Sequence, residues 1–600
     1  MKRLQILPPL SVYLLLVATA VWAQPYASSI KNVTFSGTQV LTTGVNNRSL
    51  PPGFHFSLNL DTDVGFDIPG VSGNNRPARL PAAGVPRPTG NSIASGSFFG
   101  FPGLTQFDQA VAPTGAANGF NFEVEPPDQG LAVGNGFVVE AINDAIAFFQ
   151  TNGTFLGFEA LNVLYNLPPA ATIDLTTGQI LSFGPFLSDP RVYYDSTNGF
   201  FIVSVIEIDT DSTTGNFASG SHVLIAVIPN TLSAVSNFSL DVTNDGDANF
   251  GACPCFGDQP LIGADANGFY VSTNAFNIAQ ETFRGEQLYA ISLSALETGP
   301  PGSITAVRFN NLTQAGEPAF SIQPATVPPG GSFETRQGGT EYLVSSFHSS
   351  LDDRLTVWAL MNTASLNTAT PTLTLVNNIV TTASYGNPPA TEQKSGSTPL
   401  LDFLASPQST FGVFKNHLEL VLDNDDRLQQ LVFAVGKLWT SVPTVVKTRG
   451  PVRAGAAWFI LTPAVGAGQV VASVFNQGYI AIDSPHQNSV MFPAVGVNAA
   501  GKAVISFSLV GEDFFPSAAY AMLDAVNGAG PIVISGPGIG PNDAASGYAP
   551  FGFRAARWGD YSAAVSDESG NIWMGAQMIP VNPPLILLAN WGTFITEVVP

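Results

Sequence analysis

The segment Arg557-Trp558-Gly559-Asp560-Tyr561 sets a cation, a carboxylate and a phenol side by side near the end of a 600-residue chain. Asp189 with Arg191 and Asp426 with Arg427 repeat the pairing of carboxylate and guanidinium, and Asp128 and Asp258 supply two more carboxylates in similar settings. Converging carboxylates and arginines are what a polar ligand site needs. Arginine grips a carboxylated sugar. Paired carboxylates cleave a glycosidic bond when they stand about 5 Å apart for retention or 6.5–9.5 Å apart for inversion. The plainer alternative is structural: an Asp at a strand start caps backbone N–H groups, and Arg–Asp pairs join neighbouring sheets.

These residues fall in a recurring context. In most, a polar start leads into a strand, then Asp or Asn, then Gly, then a second strand. LSDPRVYYDSTNGFFIVSVIE (187–207), FGDQPLIGADANGFYVSTNAF (256–276), PPDQGLAVGNGFVVEAIN (126–143), MFPAVGVNAAGKAVISFSL (491–509), LDNDDRLQQLVFAVGKLWTS (422–441) and a weaker ETRQGGTEYLVSSF (334–347) read like RWGDYSAAVSDESGNIWMGAQ (557–577). Asp or Asn caps its own backbone and Gly takes positive φ, which makes a type I turn with a bulge between antiparallel strands. The turn glycines are Gly136, Gly199, Gly268, Gly339, Gly436, Gly501 and Gly570, with successive separations of 63, 69, 71, 97, 65 and 69. Further strand signals follow at HVLIAVI (222–228), QLYAISL (287–293), RLTVWAL (354–360), AAWFILT (456–462) and AAYAML (518–523). Four strands per period and seven periods predict an all-β fold, a seven-bladed β-propeller of four-stranded antiparallel blades over residues 120–600. The nine charged and phenolic residues named above then ring one mouth of its channel.

Residues 1–23 read as a secretory signal: Lys2 and Arg3, an apolar run near 12–21, and a small residue at Ala23. The mature protein is then expected to be secreted, extracellular or periplasmic. Residues 24–119, rich in Pro, Gly and Asn, read as a partly disordered extension, with FNFEVE (120–125) expected to close the ring against the last blade. The net charge of −22 (22 Lys plus Arg against 44 Asp plus Glu) excludes nucleic acid as a partner, and no segment beyond the signal suits membrane insertion. A glycan or protein ligand and a monomeric state are the expectations.

Cys253 and Cys255 flank Pro254. They read as two small half-buried loop residues, with a bridged or redox-active pair as the alternative. DTDSTTG (209–215) and DGDANFG (245–251) resemble calcium loops, through Asp209, Asp211, Asp245, Asp247 and Asn249. Calcium is the candidate ion, and no other cofactor is expected. Neither loop has the twelfth-position Glu of an EF-hand. The chain carries no Gly-x-Ser-x-Gly, no His-Glu-x-x-His and no phosphate-binding glycine loop, and its five histidines are scattered. SDESGNIW (566–573) resembles the Asp-box of sialidase-like propellers, with Glu568 and Ile572 where Asp and Thr are expected.

Through EPPDQGLAVGNGFVVEAIND (125–144), GDQPLIGADANGFYVSTNAF (257–276), DDRLTVWAL (352–360) and RWGDYSAA (557–564), residues 100–600 resemble a group of secreted bacterial β-propeller proteins of unknown function. The resemblance implies an exported propeller and brings no catalytic residues with it. The leading expectation is a binding or scaffold module with its ligand at a channel mouth. The alternative is a glycoside hydrolase or lyase using the Asp/Arg ring.

Overall fold

A computed structural model of the chain describes residues 25–41, 84–298, 302–406, 418–548, 555–580 and 589–600. The expected signal segment lies outside the described residues. The fold is all-β, and its main sheets are antiparallel. Sheet 1 runs Gly130–Gly134, Phe137–Ile142, Ala145–Gln150 and Phe155–Ala160. Sheet 2 runs Phe186–Asp195, Phe200–Thr210, Phe217–Pro229 and Val235–Asp241. Sheet 3 runs Cys255–Ala264, Gly268–Asn277, Phe283–Ser292 and Ser303–Phe309. Sheet 4 runs Gln323–Pro324, Thr340–Ser346, Asp352–Met361 and Thr374–Tyr385. Sheet 5 runs Leu431–Ala434, Lys437–Val446, Arg453–Gly466 and Gln469–Ile480. Sheet 6 runs Asn488–Val497, Ala503–Gly511, Ser517–Asp524 and Gly528–Gly536. Sheet 7 takes Ala563–Ser566, Ile572–Met578 and Gly592–Val598, and its outermost strand is β2 (Phe99–Thr105) from the other end of the chain.

The first strands of consecutive sheets touch except between sheets 4 and 5, and that of sheet 7 touches that of sheet 1. Sheets 4 and 5 meet through Thr326, whose N–H donates to the Leu431 carbonyl (3.0 Å) and whose carbonyl accepts from Phe433 N–H (2.9 Å). An apolar core fills each gap. Phe201 and Val203 face sheet 1, whereas Ile202 between them faces sheet 3. Both faces of a middle strand are therefore buried, which is why its sequence reads as a continuous apolar run rather than an alternation. Small residues let the first strands approach. A Cβ on Gly134 would meet the Tyr194 ring at 2.1 Å, and one on Gly263 would meet the Ala325 carbonyl oxygen at 2.4 Å.

One expectation is corrected by the N-terminal part. The strand that completes sheet 7 is β2, pairing Phe99 with Glu597 through Thr105 with Gly592. Residues 120–125 do not do this; Gly119–Phe120 pairs instead with Ala171–Thr172. The described part of 24–119 is also ordered structure. β1 (Ser28–Gln39) lies between the outer edges of sheets 2 and 3, hydrogen-bonded to both, and makes one nine-stranded sheet of them. Unpaired edges are what β-proteins must cover, and β1 covers two at once. After β2, the short helix α1 (Gln106–Val111) is capped by Thr105, whose hydroxyl accepts from Asp108 N–H while Asp108 returns a bond to Thr105 N–H.

Candidate functional site

Six sheets carry a residue with left-handed backbone at their first strand, within it at Asp189 (φ 57°), Gln259 (50°) and Phe492 (51°) and just ahead of it at Asp128 (49°), Ser321 (48°) and Asp560 (41°). In sheets 2, 3 and 6 a proline follows, and the ladder slips there, between Ser188 and Arg191, Asp258 and Leu261, and Met491 and Ala494. These are β-bulges. Each bends the strand, re-aims its side chains and takes a backbone N–H out of the ladder. A buried N–H needs another acceptor, and a side chain from a neighbouring segment supplies it. Asp189 N–H donates to Asn143 Oδ1 (2.9 Å), Gln259 N–H to Asp189 Oδ2 (2.9 Å), Ser321 N–H to Asn274 Oδ1 (3.0 Å) and Glu286 Oε2 (3.0 Å), and Phe492 N–H to Asp423 Oδ1 (3.2 Å).

Residues 423–430, ahead of sheet 5, form a hub that reaches sheets 2, 3, 4, 6 and 7. Asp423 serves Phe492 of sheet 6. Asn424 donates to Asp560 Oδ1 beside sheet 7 (3.2 Å). Asp426 Oδ1 pairs with His348 Nδ1, just past the second strand of sheet 4 (2.9 Å). Arg427 closes a fork on Asp425 through Nε (2.8 Å) and Nη2 (2.5 Å) and reaches Gln259 of sheet 3 through Nη1. The Gln429 carbonyl accepts from Arg191 Nη1 of sheet 2 (3.5 Å), and the Gln430 amide bonds both backbone groups of Ala564 in sheet 7. This hub occupies part of the long interval between Gly339 and Gly436.

The nine residues singled out from sequence thus belong to one network. Arg191 stacks on the Tyr561 ring, 3.4 Å from its centroid, and lies in the fields of Asp189 and Asp128. Asp128 accepts from Asn143 Nδ2 (2.9 Å). Arg557 pairs with Asp560, and Asp258 acts on Arg427 and Tyr561 through its charge. Asp258, Arg557 and Asp560 are half-buried, and the other six are buried.

Burial and pairing divide the carboxyls. Burial raises Asp560 against the opposing pull of Arg557 and Arg427. Burial likewise raises Asp426, against His348. Burial also works against the Asp425 carboxylate, but Arg427 and His348 outweigh it and hold its carboxyl down at about 2. Burial lifts the Tyr561 phenol well above its ordinary value, with Asp189 adding to the effect. The charges of the ring are largely spent on one another.

Alongside the network lies a channel between the first strands, open to solvent. Its lining extends from Gln129, Arg191, Gln429 and Ser562 at the strand starts to Val133 and Tyr194 near the strand ends. The part-exposed Thr326, Val327 and Pro329 also border it. Gln129, Gln323, Gln429 and Gln430, which sequence reasoning passed over, put four amides into it. The Gln that follows Asp in PPDQG and the paired Gln of RLQQ, each placed at a strand start, were the available signal.

His348, Asp425 and Asp426 form the group that could hold a metal among the described residues; a cation there would compete with Arg427 for Asp425. The acidic loops are built differently. Asp209 and Asp211 are exposed, and Asp211 accepts from Thr213 and Thr214 N–H. Asp245 binds Lys31 Nζ (2.5 Å), Arg308 Nη1 (3.4 Å) and Tyr289 hydroxyl (2.8 Å). Asp247 accepts from Asn311 N–H and Gln287, and Asn249 is exposed on a 3₁₀ turn. Cys253 and Cys255 are joined by a disulfide, which corrects the reading of two unlinked thiols. In the Asp-box-like turn, Asp567 rather than Glu568 organises the backbone. Its Oδ1 accepts from Ser569 and Asn571 N–H, and its Oδ2 from Trp573 Nε1.

No protein-family model and no curated protein matches the chain. Similar solved structures include a Trypanosoma rangeli sialidase mutant with trans-sialidase activity, at 9% identity, 78% of this chain, 59% of that one and a TM-score of 0.32. They also include an ulvan lyase of a new polysaccharide lyase family, at 9% identity, 83% and 95% coverage and a TM-score of 0.29. A protein of unknown function from Dyadobacter fermentans matches at 10% identity, 68% and 94% coverage and a TM-score of 0.28. Likeness at such scores carries no argument about activity.

Proposed function

We propose that the chain is a secreted seven-bladed β-propeller that binds an extracellular glycan through its central channel, acting as a binding module and as a monomer. The succession of first-strand contacts, completed between sheets 4 and 5 by Thr326, supports the blade count. The basic and apolar start of the chain supports export. The observation that carries the binding reading is the channel itself: a concavity with apolar walls and a few convergent polar groups. The Asp/Arg ring is turned inward on its own hydrogen bonds and so suits a scaffold better than an open pair of catalytic carboxylates.

A second reading rests on one observation. Within the same network Asp425 is held at about 2 while Asp426 and Asp560 are raised, and carboxyls pushed apart in this way are how an acid and a base are made at one pH. That would suit a glycoside hydrolase or lyase. Both readings meet one experiment. The mature protein is incubated with neutral and acidic polysaccharides, and both co-sedimentation and release of reducing ends or unsaturated products are followed. Retention without product is expected. Product release abolished by Asp560→Ala would replace the binding module with the enzyme. Neither signal with any polymer would leave a protein ligand as the reading.

A further inference from the structure

Resting on the glycan reading above, we propose that the channel takes an acidic sugar, with Arg191 as the residue that grips its carboxylate. Arg191 Nε and Nη2 and the side-chain carbonyl oxygens of Gln129, Gln323 and Gln429 are buried and have no hydrogen-bond partner in the protein. All four residues are at least nine-tenths buried, and all line the channel. Buried polar atoms are nearly always bonded, so this many around one concavity mark a place built for an occupant.

The kinds of atom define the occupant. Nε and Nη2 form one edge of the guanidinium fork. Arg427, Arg336 and Arg354 each present that edge to a carboxylate, of Asp425, Glu334 and Asp352. On Arg191 the same edge has no carboxylate bonded to it. Its plane is fixed by stacking on Tyr561 and by the Nη1 bond to the Gln429 carbonyl, so the fork is pre-organised for a planar anion. The three amide oxygens require donors. The lining holds no Asp, Glu or Lys, so nothing there is charged to receive an ammonium group, and hydroxyls are the fitting donors. Leu131, Val192, Ile262 and Val432 supply apolar wall for ring carbons. One carboxylate, several hydroxyls and an apolar ring face describe a uronic acid.

The test titrates the full mature protein with sodium glucuronate, glucose and sodium acetate, by calorimetry and by saturation-transfer NMR. Glucuronate is expected to bind more tightly than either control. Arg191→Lys keeps the charge and removes the fork, and should weaken glucuronate by roughly tenfold to a hundredfold while leaving glucose unchanged. Gln323→Leu removes an acceptor away from the charged network and should weaken both sugars, which keeps the proposal testable if the Arg191 variant does not fold. Equal binding of glucose and glucuronate would overturn the acidic-sugar assignment and leave the glycan reading standing. Acetate binding as tightly as glucuronate would overturn it too, by showing that the hydroxyl contacts count for nothing. Retention on polysaccharide with no monosaccharide bound would overturn the channel as the site. Absence of both would overturn the glycan reading itself.

Discussion

Arg427 and Arg191 show what one residue type does in two settings. Arg427 has its fork closed by Asp425 and its third nitrogen on Gln259, whereas the fork edge of Arg191 is open to the channel. Removing one partner of a buried pair leaves an uncompensated charge. Arg427→Leu should therefore cost about 3–5 kcal/mol, read from urea unfolding, and the double variant with Asp425→Asn should recover part of the loss. A single variant as stable as the parent would show that the hub does not hold the sheets together. Sequence could pick out the nine ring residues because charges are scarce in this chain and recur at strand starts. It could not pick out Asn143 or Asp423, whose partners exist only because bulges turn a backbone N–H toward a neighbouring segment, nor Asn274, which serves Ser321 N–H, nor Asp425, which the Arg427 fork holds. The X-Pro steps at Asp189-Pro190, Gln259-Pro260 and Phe492-Pro493 were the visible trace of that geometry.

Among the elements, the turn glycines were the most legible feature. Gly136, Gly199, Gly339, Gly436, Gly501 and Gly570 have positive φ as expected. Gly268 does not; it is required because a Cβ would meet Tyr270 Oη at 2.5 Å and Leu366 Cδ1 at 2.6 Å. The roles of β1 and β2 were illegible because their partners lie some two hundred to five hundred residues away, beyond any local pattern. The two strands should respond differently to removal. β1 has a single buried side chain, Val33, and is held mainly by its backbone and by Lys31. Deleting residues 24–41 should leave the circular dichroism spectrum nearly intact but lower the melting temperature and, by baring two edges, promote association in size-exclusion chromatography. Deleting residues 24–105 removes the outer strand of sheet 7 as well and should abolish cooperative unfolding. Equal behaviour of the two truncations would refute this division of roles.

At the scale of the molecule, the acidic charge and the buried carboxyls act in the same direction. Burial pushes Glu125, Glu140 and Glu159 up to about 7, and Glu286 and Glu297 up to about 8, from an ordinary 4.5. Between 4.5 and those values the folded chain holds protons that the unfolded chain has lost, so stability falls as pH rises through that interval. Self-repulsion at a net charge of −22 adds to the fall. Asp425 works in the opposite sense, its contribution disappearing as pH drops from about 4 toward 2. The melting temperature should peak near pH 5 and be lower at pH 8; scanning calorimetry showing the reverse would refute the assignment. The joining of β2 to Gly592–Val598 also has a consequence in time. A chain made from its N-terminus has β2 long before the strand that β2 needs, Gly592–Val598. A product that stalls before Gly592–Val598 lacks the partner of β2 and cannot complete sheet 7.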